Sequence, residues 1–150
     1  MEFTVSKSDF LRELAFTQGV VEKKTTIPIL ANLLIEATDG QILLTATDLE
    51  LGVQCSCKAT VQTPGAGTVP AKRLLDFVRL LPDEEIRFKF LDNHWVSITC
   101  GRSRTRIAGL ARESYPELPV APAETLPVPS AALRQMISRT MFAISAEESR

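Results

Sequence analysis

Side chains able to do chemistry are sparse in this 150-residue chain, which holds one histidine and three cysteines. Cys55 and Cys57 stand two apart in an alternating stretch and so share one side of it, while His94 and Cys100 lie far along the chain. A closed zinc site wants four ligands, usually as two closely spaced pairs, and only one such pair exists. Small core hydrophobes are the favoured reading of these thiols; the alternative is a metal- or thiol-dependent enzyme using Cys55, Cys57 and His94, with Asp48 beside them. His94 follows Asp92-Asn93 in a turn, and no nucleophile-elbow sequence accompanies it. Asp48 and Glu50 flank Leu49 and are expected on one strand face, as an acid-base pair requires. With no ligand set around them in sequence, they read instead as a strand connection. Gly65-Ala66-Gly67 lacks the third glycine and the lysine of a phosphate loop and reads as a turn. No cofactor or metal is expected.

Cations offer more. Lys72 and Arg79 are seven residues apart, two helical turns, so they project from one face. The helices expected over 7–18, 71–81 and 130–141, with loop 22–24, together carry a charge of +5 in a chain whose net charge is −1, so the strands and other loops are acidic. Surface helices commonly carry such residues as a solvated face. The sharper reading is a helix-lined basic surface facing an anionic polymer, inside a body too acidic for indiscriminate adhesion. In Gly101-Arg102-Ser103-Arg104-Thr105-Arg106-Ile107, alternation puts the three arginines on one side of a strand. They either guard a sheet edge from aggregation or suit an acidic partner strand.

The elements that must position these residues come in a repeat. Thr4-Val5 precedes Phe10, Leu11 and Leu14, and sixty-four residues on Thr68-Val69 precedes Leu74, Leu75 and Val78 at the same spacing, one face of an amphipathic helix. Strands at 3–5 and 67–69 lead into the helices. Ser6 and Asp9 approximate a capping box, and Pro70 suits a helix start. Three strands follow each helix: 33–38 and 42–47 around the hairpin signal Asp39-Gly40, then 51–58; and 86–90, 96–100 and a strand after Gly101, with the turn at Asp92-Asn93. This predicts an α+β domain over 1–118, a duplicated strand-helix-three-strand unit with two helices packed on two antiparallel four-stranded sheets. Five prolines between 116 and 129 predict a linker over 119–127. At 128–150, Val128-Pro129 and Leu133 repeat the Val69-Pro70 and Leu74 spacing, as the truncated start of a second domain.

Composition, 45% hydrophobic and 23% charged, is that of a globular chain. No export signal or membrane span is visible, so a cytoplasmic location with reduced thiols is expected.

Thr26-Ile27-Pro28-Ile29-Leu30-Ala31-Asn32, Leu44-Thr45-Ala46-Thr47-Asp48-Leu49-Glu50, Val69-Pro70-Ala71-Lys72, Gly101-Arg102-Ser103-Arg104 and Tyr115-Pro116 resemble, in order and spacing, the bacterial DNA sliding clamp family, the beta subunit of DNA polymerase III. The resemblance spans essentially the whole chain. It implies a DNA-clamp fold and a non-catalytic processivity factor of DNA replication. Such a subunit has three like domains, and a second clamp subunit joins it head to tail into a ring around double-stranded DNA. The ring tethers the polymerase III catalytic subunit and is handled by a clamp loader, with no membrane involved. By position, Lys24, Lys72, Arg79 and Arg134 match the DNA-facing cations of the family, and Arg73, Arg102, Arg104, Thr105 and Ile107 match its subunit interface. Thr105 stands where an aromatic is the familiar occupant, and Trp95 where a cation is.

Overall fold

In this computed structural model, residues 1–21, 26–119 and 126–144 are described. The chain divides into two compact units, Met1–Leu118 and Pro119–Arg150. The first runs β1 (Glu2–Ser6), α1 (Lys7–Thr17), a 3-10 turn (Pro28–Ala31), β2 (Asn32–Thr38), β3 (Gln41–Thr47), β4 (Gly52–Lys58), β5 (Thr60–Thr63), β6 (Gly65–Pro70), α2 (Ala71–Leu80), β7 (Glu85–Phe90), β8 (Trp95–Cys100), β9 (Ser103–Ala108) and a second 3-10 turn (Arg112–Ser114). The second holds α3 (Ser130–Thr140). Residues 126–129 form no strand, because an extended segment becomes one only beside a hydrogen-bonded neighbour and no described residue pairs with them.

Two antiparallel sheets result, one ordered β5-β1-β7-β8-β9 and the other β4-β3-β2-β6. The halves exchange their first strands. β1 pairs with β7 of the second half, Phe3 opposite Phe88 and Val5 opposite Ile86, while β6 pairs with β2 of the first, Val69 opposite Leu33. Each sheet is thus three strands of one half completed by the leading strand of the other. The expected second four-stranded sheet has five strands, because the segment after β4 turns at Ala59 and Thr60–Thr63 pairs along β1.

Alternation along the strands drives the core: Phe3, Val5, Leu33, Ile35, Ile42, Leu44, Ile86, Phe88, Val96 and Ile98 face inward and meet Phe10 and Leu14 of α1 and Leu74, Leu75 and Val78 of α2. Phe3 stacks on Phe88 with ring centroids 4.8 Å apart, and Phe10 tilts onto the same ring at 5.1 Å. Burial of each such side chain contributes about 1.5–3 kcal/mol. Leu34, of opposite parity to its neighbours, joins a smaller cluster with Ile29, Leu30 and Tyr115 on the other face of its sheet, where the Tyr115 hydroxyl donates to the Thr45 carbonyl at 2.9 Å.

One local reading is corrected and another is borne out. Ser6 precedes α1 but its hydroxyl bonds Ser8, 2.9 Å away, and caps no backbone N–H, so there is no capping box. Asp48 and Glu50 form the β3–β4 connection, as the favoured reading has it, and share no strand face: the Asp48 carboxylate accepts the Glu50 and Leu51 N–H groups while Leu49 takes a φ of 80°. Those N–H bonds, Leu51 first, hold the Asp48 carboxyl below its ordinary pKa, which suits a turn clamp and not a proton donor.

Candidate nucleic-acid interface

Helix α2 is the best-defined basic surface. Ala71, Leu74, Leu75 and Val78 bury one stripe, which leaves Lys72, Arg73, Asp76 and Arg79 exposed on the rest. α1 lies against α2, so the two helices form one layer. The Lys7 ammonium donates to the Leu81 carbonyl at 2.5 Å, satisfying an orphan carbonyl at the end of α2, and Arg79 Nη2 reaches Gln18 Oε1 at 3.2 Å. Among the described residues, neither Lys72 nor Arg79 has a carboxylate partner. On α1, Arg12 is neutralised by Glu13 at 2.9 Å and Asp9 at 3.5 Å. On α1 the remaining cation, Lys7, is half-buried and spent on the Leu81 carbonyl, so among the described residues of the two helices the exposed cations without a carboxylate partner are those of α2. Arg134 is exposed on α3, and within its own unit that helix also exposes Leu133, Met136 and Ile137. Lys24 lies outside the described residues.

The other group gathers at β9, the last strand of its sheet. Arg102 sits in the turn before β9 rather than on the strand, because the chain bends there through Gly101 with a φ of 52°. Arg104 is exposed and Thr105 half-buried on the opposite side. Ile107 is only 6% exposed and belongs to the core, so the strand's free backbone edge, and not this side chain, is what faces outward. Arg73 is exposed on α2.

Thiol chemistry finds no support. Burial, with the Glu13 carboxylate nearby as a lesser cause, pushes the Cys57 thiol up to about 12, and desolvation raises Cys55 and Cys100 as well, away from the thiolate that a nucleophile or metal ligand needs. Cys55 and Cys57 pack in and against the main core. No group of three His, Cys, Asp or Glu side chains able to hold a metal occurs among the described residues. His94 closes the β7–β8 turn with a φ of 63°, its carbonyl accepting the Gly109 N–H at 2.9 Å.

Register also assembles a cluster that spacing along the chain does not reveal. On the outward face of the five-stranded sheet, Thr99 of β8 lies between Arg87 and Arg104, and Ser97 between Lys89 and Arg106. The alternation within each strand is legible in sequence; that β7 and β9 flank β8 is not. Glu2 of β1 bonds Arg87 Nε at 2.7 Å, contacts Arg87 Nη2 more closely, and approaches Lys89 at 3.7 Å. The Arg87 hydrogen bond is the main reason its carboxyl is held below the ordinary value.

The family described as DNA polymerase III beta subunit, N-terminal domain, matches residues 1–119. The beta sliding clamp of Chlamydia pneumoniae is 34% identical over 151 residues, covering all of this chain and 41% of the relative. Among solved structures, the DNA polymerase sliding clamp of Caulobacter crescentus superposes with a TM-score of 0.92 at 34% identity over 99% of this chain and 41% of that one. The Helicobacter pylori beta clamp bound to a DNA ligase peptide superposes at 0.77 with 25% identity, over 81% and 34% respectively. The chain spans about two fifths of the length of the curated relatives it matches. With the exchanged leading strands and the paired helix layer on the page, the match over 1–119 makes this chain a member of the DNA polymerase III beta subunit family.

Proposed function

We propose that residues 1–118 are the first domain of a ring-forming, non-catalytic DNA clamp, with 119–127 a linker and 128–150 the opening of a second domain. Such a ring encircles duplex DNA, holds the replicative polymerase on it and is loaded by a separate machine; the Helicobacter pylori beta clamp is seen bound to a DNA ligase peptide. The observation that carries this reading is the α1–α2 layer with Lys72 and Arg79 exposed and, among the described residues, free of carboxylate partners. Tethering by topology wants few, sequence-blind phosphate contacts, because each further one slows diffusion along the duplex. In this reading Lys72, Arg79, Arg134 and Lys24 face DNA. Arg102, Arg104, Thr105 and Ile107, in and just before β9, belong to the edge that meets an acidic partner subunit, the last two through the strand they sit on, and Arg73 joins them from α2. A cytoplasmic location follows from action on the bacterial chromosome.

The test is salt-titrated binding of the 150-residue chain to linear duplexes of two unrelated sequences. Expected is weak, sequence-independent binding whose log-log salt slope is about −3, flattening to about −1 in Lys72→Ala/Arg79→Ala and unchanged in Arg102→Ala. Nanomolar affinity at physiological salt, or a slope indifferent to the α2 pair, overturns the reading.

A further inference from the structure

The outward faces of the two sheets differ. That of the four-stranded sheet is partly covered by the Ile29, Leu30, Leu34 and Tyr115 cluster, and Arg112 there meets Glu36 at 3.5 Å. That of the five-stranded sheet is bare across β7, β8 and β9. Two rows of side chains cross it, Arg87-Thr99-Arg104 and Lys89-Ser97-Arg106, with Trp95 41% exposed in the next row opposite Ala108. Rows lie about 7 Å apart and the outer strands about 10 Å apart.

Glu2 shows what this surface does with a carboxylate. It sits against the β7 pair, bonded to Arg87 and Lys89, with its side chain only 15% exposed. The β9 pair, Arg104 and Arg106, has the same two-residue spacing and no carboxylate partner among the described residues. Between the pairs stand two half-buried hydroxyls, Ser97 and Thr99, able to donate to the same oxygens.

We propose that this face, centred on Ser97 between Lys89 and Arg106 with Trp95 at its end, docks a short acidic segment of a protein partner. Two carboxylates two residues apart in an extended peptide match the spacing of the rows, and Trp and Arg are the side chains that most often anchor such contacts. A nucleic-acid strand fits less well: single-strand sites track about 4 nucleotides or more, whereas this patch is two rows deep, already holds Glu2, and ends at the exposed Glu85. The proposal does not rest on ring formation. Its test turns on Arg106 and Lys89, to which the reading above assigns no role; Arg104 in the first row and Trp95 adjoin the β9 edge assigned there to a partner subunit, and no α2 cation takes part.

Trp95 is the only tryptophan and so reports on its own site. The probe is a fluorescein-labelled hexapeptide alternating serine and glutamate, titrated into the 150-residue chain at low salt with Trp95 emission and anisotropy read together. Expected is saturable binding in both signals, weakened about tenfold or more by Arg106→Glu and by Lys89→Glu and left unchanged by Lys72→Ala. If a charge reversal fails to fold by circular dichroism, Arg106→Gln and Lys89→Gln replace it, each weakening binding several-fold. No saturable Trp95 response, or equal affinity in the Arg106 and Lys89 variants, overturns the proposal. Preferential binding of a thymidine octanucleotide to this face overturns it in favour of a nucleic acid. Peptide binding can fail while the α2-dependent DNA slope survives, and the reverse, so the two readings stand or fall separately.

Discussion

Thr4 and Thr68 hold the same place in the two halves, yet the chain that passes beside each is held differently. In the first half the chain leaves β4 at Ala59 and continues as β5, which lies along β1 with Thr60 opposite Thr4 in a backbone ladder. In the second half the chain leaves β9 at Gly109 and passes β6, but no ladder forms. The Thr68 hydroxyl stands in for it, accepting the Leu110 N–H at 3.0 Å, donating to the Leu110 carbonyl at 2.8 Å and accepting from Asn32 Nδ2 at 3.0 Å. A cavity of about 210 Å³, lined by Ala66, Thr68, Phe90, His94, Leu110 and Arg112, opens where the missing strand would run. Duplication therefore conserves the path of the chain but not the chemistry that fastens it: one crossing is secured by a short backbone ladder and the other chiefly by a single buried side chain.

The largest expected effect follows from the close approach at the second crossing. A Cβ on Gly109 would fall 2.0 Å from the Thr68 carbonyl oxygen and 3.0 Å from that of His94, both backbone atoms with no rotamer to yield. Gly109→Ala is expected to cost about 3 kcal/mol, at the upper end of overpacking penalties. The first crossing already carries a methyl at Ala59, whose N–H bonds the Gly40 carbonyl at 3.0 Å. Urea unfolding of Gly109→Ala and of Ala59→Gly measures the contrast; comparable losses would show that the two crossings are equally tight.

Next comes the hydroxyl itself. Thr68 is 2% exposed, and Thr68→Val keeps its shape while leaving Asn32 Nδ2 and both Leu110 backbone groups without their partner. A loss of about 2 kcal/mol is expected, because a buried polar group left unpaired costs more than its bond contributed. Thr4→Val, at the ladder-held crossing where the hydroxyl only receives Gln62 at 3.4 Å, should change stability by less than about 0.5 kcal/mol. Denaturant midpoints of the two variants read the difference directly.

How much of this was legible in the sequence follows from what is local. The stripe Leu74, Leu75, Val78 and the Asp39-Gly40 turn, where Gly40 takes a φ of 76°, are set by residues within a few positions of each other and appear where spacing puts them. The exchange of β1 and β6 between sheets is not local: Phe3 meets Phe88 across most of the domain, and alternation in each strand is satisfied equally well by several pairings. For the same reason β5 escaped notice, since Thr60–Thr63 has little apolar alternation and becomes a strand only beside β1. At the candidate DNA surface, Lys72 and Arg79 could be placed from helical geometry alone. Ile107 could not, because alternation says that it opposes Arg106 but not that its own side is the core. The grid of Arg87, Lys89, Arg104 and Arg106 required the strand order.

The smallest effect concerns the segment beyond the second crossing, which has no ladder and is anchored by Tyr115. Its ring is buried beside Ile29, Leu30 and Leu34, and its hydroxyl bonds the Thr45 carbonyl. Tyr115→Phe keeps the ring and is expected to cost about 1 kcal/mol at neutral pH. Burial pushes the phenol from an ordinary value near 10 up to about 12, so the folded state favours the neutral form. Its contribution is complete below pH 10, where the unfolded chain also holds the proton, and is lost as pH rises through about 12. Cys57, raised from 9 to about 12, adds a loss of the same sign that begins one unit lower. Stability followed by denaturant midpoint from pH 8 to 12 should therefore fall less steeply above pH 10 in Tyr115→Phe than in the parent, with the slope between 9 and 10 unchanged. Parallel curves throughout would mean that Tyr115 is hydrated in solution and that the segment after Gly109 is fastened by Thr68 alone.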